Sequence, residues 1–220
     1  MAPAAGYNAT VKLTGTSTAF TGQAASGSGT TWQISDTAKQ ILDPSVTPSW
    51  YDNAVPISAG DISSVDYLTG TVVFTGSKSG PITADGSYLP LLTFAEARAV
   101  NPSLAADELD VSVFGTQWRS RIQGLKSMET PLESFTLLKT DMDPGGGTRT
   151  LEGLFTNGTQ VVLEVDPSGV GAGYRIRSFG LLLSADGASA VDGLVTTNPS
   201  FQSVTVKAAD GTYVTVSLAA

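Results

Sequence analysis

Ile62-Ser63-Ser64-Val65-Asp66-Tyr67-Leu68-Thr69-Gly70-Thr71-Val72-Val73-Phe74 reads as strand, turn, strand. Ile62 to Tyr67 and Thr71 to Phe74 carry the β-branched and aromatic residues of strands, and Leu68-Thr69-Gly70 has the composition of the turn between them. The pattern continues upstream. Ala9, Val11 and Leu13 alternate with Thr10, Lys12 and Thr14, the period of two of a half-buried strand. Ser17 to Phe20 and Trp32 to Ser35 add two more strands, and Gly22 to Thr31 between them has loop composition. Asp36 is placed to cap one or two helical turns through Leu42, closed by Asp43-Pro44. Ser45 to Ile57 is dense in proline and reads as a long, partly extended loop or an exposed hairpin.

Downstream, Tyr88 to Leu92 is a strand, and Thr93-Phe94-Ala95-Glu96 fits a capping box that opens a helix through Ala99, ended by Pro102. Leu109 to Phe114 and Gln117 to Ile122 read as strands; Leu132 to Leu138 fits either period, and its flanks favour strand. After the break at Pro144-Gly145-Gly146-Gly147, Thr148 starts a second helix with Leu151, Leu154 and Phe155 on one stripe, ended by Asn157-Gly158. Gln160 to Val165, Tyr174 to Ser184, Val191 to Thr197, Phe201 to Lys207 and Tyr213 to Leu218 are further strands. About ten strands with two or three short helices make the class mainly β, a sandwich or barrel with one or two short flanking helices. The expected organisation is one domain over residues 1–220, with a long Pro-rich loop near 44–60.

Composition narrows the function. The 220 residues include no Cys and no His. Thiolate nucleophiles, disulfides and Cys-based zinc sites are excluded, and the commonest general base near neutral pH is missing. The expectation is therefore a protein that is not an enzyme and needs no cofactor or metal. The 20 acidic and 12 basic residues give a net charge of −8, which keeps the chain soluble and disfavours polyanion binding. No apolar run is long enough to span a membrane, and the first residues lack a secretory pattern, so the expectation is a soluble chain made in a cytoplasm.

Several residue groups invite chemical readings. Arg119 with Arg121, and Arg175 with Arg177, lie two apart on strands, so each pair shares a face. They are candidates for ion pairs to a neighbouring subunit, or else solvated strand faces. Trp50 and Tyr51, on the Pro-rich loop, would be exposed aromatic anchors for a neighbouring subunit unless the loop folds back over its own core. Asp141 and Asp143 lack the further oxygen ligands of a Ca²⁺ site, and Gly145-Gly146-Gly147 lacks the Lys-Ser/Thr ending of a phosphate loop. Glu129 with Glu133, and Ser127 beside Lys126, have no context that makes them catalytic pairs.

Taken together, several stretches resemble the major tail tube proteins of siphophages, the long, non-contractile-tailed bacteriophages. They are Trp32 to Asp36 continuing through Ala38 to Pro44, then Ile62 to Phe74, and Ser87-Tyr88-Leu89-Pro90. The helix at Thr148 to Asn157 running into the Gln160 strand, and the closing strand at Pro199-Ser200-Phe201-Gln202, extend the likeness over most of the chain. The resemblance implies a tail-tube-type β-sandwich whose copies form hexameric rings, stacked into a tube around the channel for genome ejection. It implies as partners the chain itself, other tail proteins such as tape measure, initiator and terminator, and viral DNA passing the lumen without specific binding. No membrane partner is implied, and the place implied is the virion tail, assembled in the bacterial host cytoplasm. Relatives often carry a C-terminal immunoglobulin-like domain; the 26 residues after Leu194 are too few for one, so none is expected.

Two other readings fit the composition. One is a monomeric or trimeric β-sandwich binding module, such as an adhesin or capsid decoration protein. The other is a carbohydrate-active enzyme working through paired carboxylates.

Overall fold

The computed structural model describes residues 10–100, 103–110, 121–136, 156, 158, 160–166, 175–189, 195–214 and 216–219. The first strands are β1 (Thr10–Thr14), β2 (Thr18–Ile34), β3 (Ser49–Asp52), β4 (Val55–Pro56), β5 (Ile62–Asp66), β6 (Thr71–Lys78) and β7 (Ile82–Tyr88). The central ones are β8 (Leu91–Val100), β9 (Ser103–Asp110) and β10 (Arg121–Thr136). The last are β11 (Val161–Asp166), β12 (Arg175–Ser189), β13 (Val195–Ser203), β14 (Val206–Lys207), β15 (Tyr213–Val214) and β16 (Val216–Ala219). Short 3-10 turns occupy Thr37–Lys39 and Ala59–Asp61. The protein is mainly β, as the sequence predicts.

Two large sheets carry the fold. In the first, pairing runs β11-β1-β8-β10-β13-β12, and β12 pairs back with β11, so six strands close a circuit; β9 extends it beside β10 and β16 beside β12. The second sheet has the order β4-β3-β7-β2-β6-β5. The register of β8 and β9 on β10 is nearly continuous, Val100 facing Leu132 and Ser103 facing Glu129. They form one long hairpin with β10, and β13 joins this hairpin to a second one, β12–β13.

Between the sheets lies the core. Phe20, Ile34, Trp50, Tyr67, Leu68, Val72, Phe74 and Ile82 from the second sheet meet Val162 and Phe179 from the first. β11 is buried on both faces, because Val161, Leu163 and Val165 point one way while Val162 points to the second sheet. This explains its continuous apolar run Val161-Val162-Leu163, broken by a single charge, Glu164.

Several local expectations give way to pairing. The capping box at Thr93 does not open a helix: Thr93 faces Lys12 and Ala95 faces Val11 in the β1–β8 ladder, while Ala97 and Ala99 pair with β10. A helix of two turns between Leu92 and Pro102 lacks the length to stand alone, and ladders on both edges satisfy more backbone groups. The Gly-rich stretch 22–31 is part of β2 rather than a loop. It doubles back sharply, because Ser35 N–H donates to Ala24 O at 3.0 Å and Gly29 has φ of 63°. Gly27 sits where a Cβ would lie 2.3 Å from Thr31 O, so this crossing admits no side chain. Leu132 to Thr136 is strand, as its flanks favour; Leu137 and Leu138 lie outside the described residues, as does the helix expected at Thr148 to Asn157 apart from Thr156. The two strands expected over 191–207 are divided differently, with β13 running through Pro199 and Ser200.

The Pro-rich segment is a hairpin, but its tryptophan is inward. β3 and β4 are joined by Asn53-Ala54, both at positive φ (50° and 65°), the geometry of a tight two-residue hairpin turn. Pro56 sits on β4, the edge strand, where the missing N–H costs no ladder bond. β3 pairs with β7, which turns Trp50 into the core against Phe74, ring centroids 6.3 Å apart and nearly perpendicular. At 1% exposure Trp50 is no outward anchor.

Candidate functional site

The turn Asp66-Tyr67-Leu68-Thr69-Gly70 joins β5 to β6 and is the meeting point of both sheets. Asp66 builds it: its Oδ1 accepts from Leu68 N–H at 2.9 Å and its Oδ2 from the Thr69 hydroxyl at 2.8 Å. Gly70, with φ of 64°, completes it; a Cβ there would lie 2.7 Å from Gln40 O. All five carbonyls of the turn accept a hydrogen bond. Gly70 N–H donates to Asp66 O, Leu42 N–H to Tyr67 O and Ile34 N–H to Gly70 O. The Gln33 side chain donates to Thr69 O at 2.9 Å, and Arg177 Nη1 donates to Leu68 O at 2.9 Å.

Arg177 reaches the turn from the other sheet. In register, Lys12 on β1 faces Glu164 on β11, and Glu164 faces Arg177 on β12. The three side chains form one rung across three adjacent strands. Lys12 Nζ lies 2.8 Å from Glu164 Oε1, and Arg177 Nε lies 2.7 Å from Glu164 Oε2. Glu164 and Arg177 are each 1% exposed, whereas Lys12 is 24% exposed. Burial alone would raise the Glu164 carboxyl; hydrogen bonds from Lys12 and Arg177 and their charges outweigh it and hold the group below its ordinary value. The carboxylate is therefore ionised in the folded chain at neutral pH. Lys12, Arg175, Arg177, Glu164 and Tyr88 line a cleft of about 380 Å³ beside the rung.

The residues singled out in the sequence do not converge. Arg177 is an interior ion-pair partner rather than half of an outward pair, and Arg175 borders the cleft. Arg119 lies outside the described residues; Arg121 stands opposite Asp110 at the end of the β9–β10 pairing. Tyr51 is half-buried on β3, and a hydrogen bond to the Asp85 carboxylate holds its phenol above its ordinary value. Glu129 is exposed and accepts from the Ser200 hydroxyl at 2.8 Å. Asp141, Asp143 and Gly145 to Gly147 lie outside the described residues. Among the described residues no three of His, Cys, Asp or Glu gather to hold a metal, and no helix is long and apolar enough to cross a membrane.

Lys12 and Glu164 were not singled out in the sequence. The available signal was Glu164 itself, a lone charge inside the apolar run of β11, where a buried charge requires a partner.

No protein-family model matches the chain, and no curated protein matches it. Among solved structures it is similar to a chain from the virion of a native gene transfer agent particle, with 20% identity and a TM-score of 0.44, covering 59% of this chain and 89% of that one. It is also similar to a chain from the tail of an empty gene transfer agent particle of C6 symmetry, with 19% identity and a TM-score of 0.45, covering 60% and 87%.

Proposed function

We propose that the chain is a structural subunit of a bacteriophage tail tube, forming stacked hexameric rings around a channel for genome ejection, and that it is not an enzyme. The observation that supports this most is a pair of open strand edges on one ribbon. β9 lies along Arg121 to Glu129 of β10 and β13 along Glu129 to Thr136, with β12 beyond β13; among the described residues β9 pairs only with β10, and β12 from Leu181 to Ser189 pairs only with β13. The outer edges of β9 and of that half of β12 have no strand partner among the described residues. Such edges invite pairing with another chain. Pairing β9 of one copy with β12 of the next is head-to-tail, and a head-to-tail contact that closes a ring leaves neither of these two edges free. The ring size and the stacking are what the resemblance to tail tube proteins implies, carried by Ile62 to Phe74 together with the other matching stretches.

The net charge of −8 suits the role of a conduit. Acidic residues facing the channel repel the DNA backbone, so the genome slides without adhering. The test is direct: concentrated purified chain, imaged in negative stain with and without a tail initiator. Six-fold rings or tubes are the expected forms. Single particles under both conditions overturn the proposal in favour of a monomeric binding module, and compact trimers favour a decoration protein.

A further inference from the structure

The Lys12–Glu164–Arg177 rung is unbalanced: one carboxylate serves two cations, at 2.8 Å and 2.7 Å. Arg177 is sealed inside and also holds the Leu68 carbonyl, so the Glu164 charge is committed to the interior. Lys12 is the member that reaches out, 24% exposed, into a cleft of about 380 Å³ that Arg175 also borders. A cation whose internal partner is shared, in a partly desolvated cleft, attracts a further anion more strongly than a fully solvated lysine does.

We infer that this cleft receives a carboxylate side chain from a second copy of the chain. The choice of occupant follows from charge: with 20 acidic against 12 basic residues, most of the charged groups that another copy carries are carboxylates. The cleft thus offers the outward Lys12 ammonium to a carboxylate, a polar contact between copies in addition to strand pairing. This inference rests on the self-assembly reading above and deepens it.

The experiment compares the wild-type chain with Lys12→Met and Lys12→Arg by sedimentation across a concentration series, with thermal unfolding as a check on the fold. Lys12→Met keeps the stem and loses the charge; it is expected to weaken self-association at least tenfold, while Lys12→Arg associates within about threefold of wild type. Carbon-13 labelling of lysine in dilute chain supplies a second readout. Acetate is expected to shift the Lys12 Cε resonance in the wild type, with no counterpart in Lys12→Met spectra. Unchanged association of a folded Lys12→Met, or an unmoved Lys12 signal, overturns the socket and leaves the tube reading intact. A wild-type chain that stays single at every concentration overturns both.

Discussion

Arg177 Nη1 donates to the Leu68 carbonyl at 2.9 Å, joining the buried ion pair of one sheet to the tight turn of the other. The bond matters because both ends are otherwise committed. Arg177 Nε is held by Glu164, and Leu68 is fixed within a turn whose other carbonyls are all taken. The sheets are therefore fixed in orientation by a directional contact as well as by apolar packing. A core of Trp50, Phe74, Val162 and Phe179 drives association of the layers without specifying their angle.

Removing one partner from this pair leaves the other charge stranded. Glu164→Gln is expected to lower stability by about 3–5 kcal/mol in urea unfolding, because Arg177 stays buried without its counter-ion. Adding Arg177→Met should recover part of that loss, so the double variant costs less than the sum of the two singles. Strict additivity would show that the pair does not act as a unit.

Acid should loosen the chain through the same residue. The folded Glu164 carboxyl titrates below its ordinary value of 4.5, so below that value the unfolded chain takes up the proton first. Its contribution is complete above about pH 4.5 and is lost as pH falls through the lower, folded value. The midpoint of thermal unfolding, followed from pH 7 to pH 3, should fall more steeply in wild type than in Glu164→Gln.

Gly70→Ala is expected to cost about 2–4 kcal/mol, by adding a Cβ against the Gln40 backbone and forcing a side chain into left-handed conformation. Gly76, which has open space around its Cβ position and no positive φ, is the control. Gly76→Ala should leave the urea midpoint nearly unchanged.

Trp50 should behave as a core residue rather than an interface residue. Its indole emission is expected to be blue-shifted and shielded from iodide in dilute, unassembled chain, since only 1% of the residue is exposed. Trp50→Ala should lower stability by about 3–5 kcal/mol.

Blocking the β9 edge tests ring formation without touching the core. Successive N–H groups of an antiparallel strand point alternately toward its partner and away from it. Of Ala105→Pro and Ala106→Pro, one therefore breaks a bond to β10 and the other removes only an outward N–H. The outward variant should fold normally by circular dichroism yet form no rings.

The sequence-legible part of the fold is local. The turn at Leu68-Thr69-Gly70 and its strands, the Asp36 cap and the alternation of Lys12 with Leu13 all follow from a few neighbouring residues, and the structure has them. Thr93 to Ala99 failed as a helix because its rule considers only the segment. Partners on both sides, Lys12 and Leu132 among their residues, come from elsewhere in the chain. Trp50 was left open between an exposed anchor and a fold-back over its own core for a related reason: proline density showed that the segment bends but not what the bend packs against, and the structure has the fold-back.

By itself, then, the sequence determined the class, the main turns, the absence of thiol and imidazole chemistry and the acidic surface, since composition and near-neighbour periodicity encode each of these. Only the tertiary structure decided that Lys12, Glu164 and Arg177 form one rung, the first two standing 152 positions apart in the sequence. Strand register sets that juxtaposition, and register is a property of long-range pairing: a slip of one residue in any one of the three strands would turn its member of the rung to the opposite face.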